Sequence, residues 1–373
     1  MPFSPEQYAN VQGHSCLSEM AYVLSAVESQ LDKTFVWTPV EQCDPLRLLE
    51  VARLNKVLSC LTRNLKYPFA ETDPLFAFLD QKRLQTLSLN RRGIDEAAKL
   101  SRNLNASGIV HMHFKGPLQQ TALYGDPFRK PSGDIDILVA AADRRIATEV
   151  IVGAGYEIFD ASLAIWWWQF LGELHLKNAK TGLVVDLHHD VQQVGLPRPQ
   201  NSGGFLERRG SIDAFGDSFD VPSAADRVII AAISIAKALR SHEPCLSAVI
   251  DLRVAMTTLS KSDRLVLEQL SHQSGMEHTL ALGLRVVEAV FSTKIPKISK
   301  NIYPFSSVSD DQLKQMIVVP WTPDLPWPRS RDFIFELSGR RIFRSGRESL
   351  RLVLSEGLRT LLEFEPRKDS PRT

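Results

Sequence analysis

The sequence predicts an α+β protein, with a run of strands and short helices in its middle and helical regions on either side. Three observations predict it. Residues 109–139, IVHMHFKGPLQQTALYGDPFRKPSGDIDILV, alternate with period two at both ends around a short helix. A second alternating pair, Glu173 to Asn178 and Leu183 to Val191, flanks a turn at Lys180-Thr181-Gly182. The residues before Asn105 and after Ser223 repeat their apolar positions every three or four residues instead. The divisions expected from these patterns are a helical region over 1–80, a core over 81–215, and a C-terminal helical domain with a basic tail over 216–373.

Taken in order, Leu46 to Thr62 and Leu75 to Leu104 carry the helical spacing, and Asn105-Ala106-Ser107-Gly108 stops the second helix, with Gly108 suited to a left-handed cap. A strand ends at Lys115-Gly116, a short helix follows, and a second strand begins at Asp134. Ala141 to Gly155 reads as an amphipathic helix. Leu163 to Leu171 is apolar, and its adjacent Trp166, Trp167 and Trp168 cannot all face one core, so one belongs near an interface or the cleft. Ser223-Ala-Ala-Asp226 resembles a capping box ahead of Val228 to Leu239, the most apolar helix. Helices are expected over Ser247 to Leu259, Arg264 to Gln273 and Met276 to Phe291, and an extended proline-rich break over Pro320 to Pro328. From Arg329 onward eleven Lys and Arg stand against seven Asp and Glu, which reads as a solvated helical tail.

Composition narrows the function little but excludes some partners. The formal net charge is +1, with 44 basic and 43 acidic residues, so no global field draws the chain to nucleic acid or to anionic membranes. The first basic residue is Lys33, so the start lacks secretory and transit-peptide character. The longest apolar run, Val228 to Ala236, is far shorter than the ~20 residues of a membrane span. A cytoplasmic location is expected. Cys16, Cys43, Cys60 and Cys245 form no C-x-x-C pair, which argues against a disulfide framework and against a zinc ribbon.

The chemistry gathers at three aspartates. Alternation puts Asp134 and Asp136 on one face of their strand and Ile135, Ile137 and Val139 on the other. Two carboxylates that close are tolerated when a cation lies between them or when they share a proton, and a divalent metal is the first reading. By the same alternation Val184, Asp186 and His188 share a face, so a third carboxylate is available. Such a set suits one or two magnesium ions bridging a triphosphate and an attacking hydroxyl. Gly116 would let the backbone approach a phosphate, and Lys115 and Arg129 are cations within reach of phosphate oxygens. His188 shares the face of Asp186, His175 lies on the other arm of the hairpin, and both are candidates to line the cleft. His111 and His113 lack the context of metal ligands. His242 and Asp251 read as structural.

The order strand, glycine turn, helix, D-x-D strand, helix, third acidic strand resembles the nucleotidyltransferase superfamily with the DNA polymerase β-like fold. Closer still is the bacterial family labelled uncharacterised nucleotidyltransferase, which the chain resembles through Phe114 to Gly116 (FKG), Leu123 to Arg129 (LYGDPFR), Gly133 to Val139 (GDIDILV) and Val185 to His189 (VDLHH), over about residues 80 to 260. The resemblance implies a small mixed sheet with helices as the catalytic core. It implies Asp134 and Asp136 as metal ligands, Asp186 as a ligand or the general base, and Lys115 and Gly116 at the phosphate turn. Here Pro117, which has no N–H, follows that glycine, and 17 residues separate Gly116 from Asp134. The implied activity is transfer of a nucleoside monophosphate from an NTP, ATP first, to an acceptor hydroxyl, with Mg2+ or Mn2+ as cofactor and pyrophosphate released. A small molecule or a protein side chain fits the near-neutral charge better than RNA as acceptor. A nucleotide-binding module without turnover is the second reading, and a metal-dependent phosphohydrolase the third.

Overall fold

A computed structural model describes residues 11–36, 43–62, 74–159, 164–191, 194–293 and 305–362. Among these residues seven strands form: β1 (His111–His113), β2 (Asp134–Val139), β3 (Tyr156–Ile158), β4 (Glu173–Asn178), β5 (Val184–His188), β6 (Gly210–Ala214) and β7 (Asp217–Val221). The first five make one mixed sheet in the order β1-β2-β5-β4-β3, in which only β2 and β5 run parallel. Helices lie around it, so the fold is α+β.

Each face of the sheet has its own core. Ile135, Ile137 and Val139 of β2, with Leu174, Leu176, Val185 and Leu187, pack beneath the long helix Pro74–Ala106, the helix Arg144–Gly153 and the β6-β7 hairpin. On the opposite face, Met112 and Leu138 stand side by side in register and join a larger core built from the helices Leu17–Leu31, Pro45–Leu54, Ala224–Ser241, Leu246–Thr258 and Glu277–Phe291. That second face therefore changes character along β2, from aspartate at positions 134 and 136 to leucine at 138. Its apolar end is roofed by helices and its ionic end is left open.

Several elements depart from the sequence reading. Leu46 to Thr62 is two helices, Pro45–Leu54 and Leu58–Thr62, because Lys56 adopts a left-handed φ of 57° between them. Asn55 holds that break from inside the protein, donating to Val51 O and Val318 O and accepting from Leu246 N. The β6-β7 hairpin escaped the sequence reading, although Phe215 and Gly216, both at positive φ, make its turn. Of the segment expected to be a solvated helical tail, residues 329–362 are described: Phe333, Ile334 and Leu337 of the helix Ser330–Leu337 are buried, and the helix Ile342–Leu362 exposes Ile342, Phe343 and Val353 while its Ser355 accepts the Trp166 indole N–H; the rest of the tail lies outside the described residues. Trp167 begins a π-helical turn, Trp167–Leu171, that ends at Gly172 with φ 74°. A Cβ at Gly172 would stand 2.5 Å from that of Asp190, so only glycine lets β4 start there. None of Cys16, Cys43, Cys60 and Cys245 is in a disulfide. No helix among the described residues is long and apolar enough to cross a membrane.

Candidate active site

The open end of the sheet face carries six ionisable side chains in matched registers. Asp136 on β2 lies opposite Asp186 on β5 across the parallel pair, with Asp134 one pleat earlier. Across the antiparallel pair, Asp186 lies opposite His175 and His188 opposite Glu173. Strand pairing thus collects four carboxylates and two imidazoles onto one surface, while the alternate residues of the same strands fill the core beneath.

Contacts within the group are specific. Asp136 Oδ1 accepts from Lys115 Nζ at 3.0 Å and lies 3.1 Å from His188 Nε2. His188 Nδ1 faces Glu173 Oε2 at 3.4 Å, and Glu173 Oε1 is 3.6 Å from His175 Nε2. His175 Nδ1 is 2.6 Å from Asp186 Oδ1. Asp136, Asp186 and His188 each bring a ligand atom within 4.8 Å of the other two, and Asp134 stands outside that trio.

The electrostatics follow from this crowding. Asp136 is the largest influence on Asp134, ahead of burial and of Asp186, and its carboxyl is pushed up to about 6. Burial acts on Asp136 in the same direction, yet Lys115 and His188 outweigh it and hold that carboxyl below the usual range. Glu173 is likewise buried and still held low, chiefly by His188 and then Lys237. Burial opposes the charge on Lys115, but Asp136, Glu173 and Asp134 keep its ammonium above the ordinary lysine value. His175 is raised despite burial, because Asp186 bonds to it.

This surface forms one wall of a cavity of about 470 Å³. Lys115 and Gly116 line it at the turn into the helix Gly116–Tyr124. Gly116 has φ 69°, and a Cβ there would come 3.1 Å from Ser132 Oγ, which is also a lining residue. Trp166, Trp167 and Leu171 supply the apolar wall, and Trp167 meets His175 edge-on. Cations come from elements far apart in sequence: Lys56 from the break held by Asn55, Lys237 from Ala224–Ser241, Arg359 from Ile342–Leu362, and Lys130, which is paired with Asp251.

Of the residues singled out by sequence, Asp134, Asp136, Asp186, Lys115, Gly116 and His175 line the cavity, and His188 lies directly behind Asp136. Arg129 lines a smaller adjoining cavity of about 60 Å³ instead, with Gln30 and Tyr124, its Nε 3.5 Å from Asp126. Asp251, read as structural, lines the main cavity and binds both Lys130 and the Tyr124 hydroxyl. Glu173, Lys56 and Lys237 were missed by sequence reading. Glu173 was within reach of it, since hairpin register alone sets Glu173 opposite His188; the two lysines arrive by tertiary packing. His111 and His113 point into the opposite core, where His113 Nε2 is 2.8 Å from Ser101 Oγ.

The residues present fit a divalent cation. Hard carboxylate oxygens from neighbouring strands are the donors Mg2+ and Mn2+ favour. The displaced Asp134 carboxyl records a repulsion that a cation would relieve. No curated protein is matched by the chain. A family model described as uncharacterised nucleotidyltransferase matches residues 41–292, more than half of the chain and well beyond the strands into both helical flanks.

Proposed function

The chain belongs to the uncharacterised nucleotidyltransferase family, and from that premise we propose that it moves a nucleoside monophosphate from an NTP to an acceptor hydroxyl and releases pyrophosphate. The observation that carries this reading is Asp136 facing Asp186 across parallel strands, with Asp134 one pleat away, in the wall of a cavity ringed by lysines.

Asp134, Asp136 and Asp186 would hold Mg2+ or Mn2+, which supplies charge neutralisation at the polyphosphate. Pro117 offers no N–H at the phosphate turn, so side-chain cations take over much of the phosphate binding: Lys115, Lys56, Lys130 and Lys237 surround the same space. Trp166 and Trp167 give the nucleobase an apolar wall. The acceptor oxygen forms a bond to the α-phosphorus, and the bond from that phosphorus to the bridging oxygen breaks, its electron pair leaving with pyrophosphate. The acceptor proton passes to solvent or to Asp186, which His175 orients from behind. ATP is the first nucleotide to test, and a small molecule or protein side chain the first class of acceptor.

Incubation with labelled NTPs, magnesium and a cell lysate tests the reading. Wild type should transfer label and release pyrophosphate, and Asp136→Ala should lower both by roughly 100-fold or more. Equal labelling by the two proteins would sink it. ATP binding without pyrophosphate release on any acceptor would favour a nucleotide-binding module.

A further inference from the structure

The strands leave His188 without a role in the scheme above, yet its surroundings are those of a ligand. Its side chain is only 4% exposed, and Phe114 packs against it edge-on at 4.8 Å between centroids, which fixes the plane of the ring. One nitrogen, Nδ1, faces the buried carboxylate of Glu173 at 3.4 Å. The other, Nε2, points at Asp136 Oδ1 from 3.1 Å, and His188 forms with Asp136 and Asp186 a trio whose ligand atoms lie within 4.8 Å of one another. Adjacent donors on an octahedral cation with bonds of ~2.1 Å stand ~3.0 Å apart, so the spacing of Nε2 and Oδ1 also suits two ligands of one ion.

We propose that His188, through Nε2, is a nitrogen ligand of the divalent cation shared with Asp136 and Asp186, and that Glu173 is the positioning residue behind it. This rests on the nucleotidyltransferase reading of the site. A histidine that binds metal through one ring nitrogen almost always gives the proton on the other to a carboxylate or carbonyl, which sets both tautomer and ring orientation. Glu173 stands where that acceptor is needed, directly across the strand pair from His188. Asp134 lies outside the trio and stays free to hold a second cation of the kind a two-metal site uses. One nitrogen among oxygens tilts the site away from Mg2+, towards Mn2+ and Co2+.

The test uses the full-length protein with Mn2+ alone, read by pulsed electron paramagnetic resonance and by calorimetric titration. Wild type should show nitrogen coupling to the bound Mn2+. His188→Gln should abolish that coupling while Mn2+ still binds, more weakly, and the preference for Mn2+ over Mg2+ should shrink. Glu173→Gln keeps the ligand and should weaken Mn2+ binding by roughly tenfold or more. Thermal unfolding of each variant separates this loss from misfolding. Bound Mn2+ without nitrogen coupling in wild type, or coupling that persists in His188→Gln, overturns the proposal. In either case magnesium-dependent pyrophosphate release can stand, because it is read independently. Failure of wild type to bind Mn2+ at all overturns the proposal as well, and the transfer reading is still decided by pyrophosphate release alone.

Discussion

Asp134 carries a cost that its neighbours impose. With its carboxyl pushed up to about 6, chiefly by Asp136, the ionised form is disfavoured in the folded protein relative to the unfolded chain. A carboxyl raised in this way stabilises the fold below its unfolded value and loses that contribution as pH rises through about 6. Asp134→Asn should therefore raise the metal-free stability at pH 7.5 by roughly 2 kcal/mol in urea unfolding, while abolishing label transfer. Added Mg2+ should narrow the difference, because it stabilises wild type more. The buried histidines act with the opposite sign. Burial pushes the His113 imidazole down to about 3, and His111 and His189 are lowered for the same first cause. Their stabilisation is complete above about 6.5 and is lost as pH falls towards the folded values. Between pH 7 and pH 5 His113 alone should cost about 2 kcal/mol, and His113→Gln should flatten that part of the urea profile. The aspartates were legible because a strand's period of two needs no partner to be read. The pairing of His188 with Glu173 needed one step more, the hairpin register that the turn between β4 and β5 sets, whereas Lys56 and Lys237 reach the site only by tertiary packing.

Among the elements, the break between the helices Pro45–Leu54 and Leu58–Thr62 shows what local patterning hides. Leu46 to Thr62 keeps helical spacing throughout, yet Asn55 bonds to backbone from Val318 and Leu246, so the chain turns where tertiary partners demand it. The turn forces Lys56 into a left-handed conformation and sends its side chain to the cavity. Lys56→Gly should relieve up to about 1 kcal/mol of backbone strain, seen as a higher unfolding midpoint, and weaken ATP binding several-fold in calorimetry. Lys56→Met should show the weaker binding without the gain in stability. The β6-β7 hairpin was obscured for another reason: its residues, GSIDA and DSFDV, are too polar for alternation to stand out.

On the scale of the molecule, the strands of the core expected over 81–215 share their packing with both flanks. Met112, Phe114, Leu123 and Leu138 belong to the same cluster as Val23, Leu48, Ile233 and Leu252. Residues 81–215 expressed alone should bind a dye specific for exposed apolar surface and melt without a cooperative transition, whereas the full chain should unfold cooperatively. The fold class was legible because strand and helix periods differ within one sequence; the shared core was not, because which helix roofs which strand is set by contacts far apart in the chain. At the open end of the sheet β2 separates two fates, apolar packing on one side and an ion-rich surface on the other, and assigns Asp134 to Ile137 to them in alternation before Leu138 returns the second face to apolar packing. A single residue inserted before Asp134 and propagated along the strand would carry both aspartates into the apolar core, Ile135 into the cavity and Ile137 into the place of Leu138. Loss of reactivity by slippage would then also mean loss of folding, so β2 acts as its own proofreader: a chain misthreaded there cannot persist as a well-folded but idle protein.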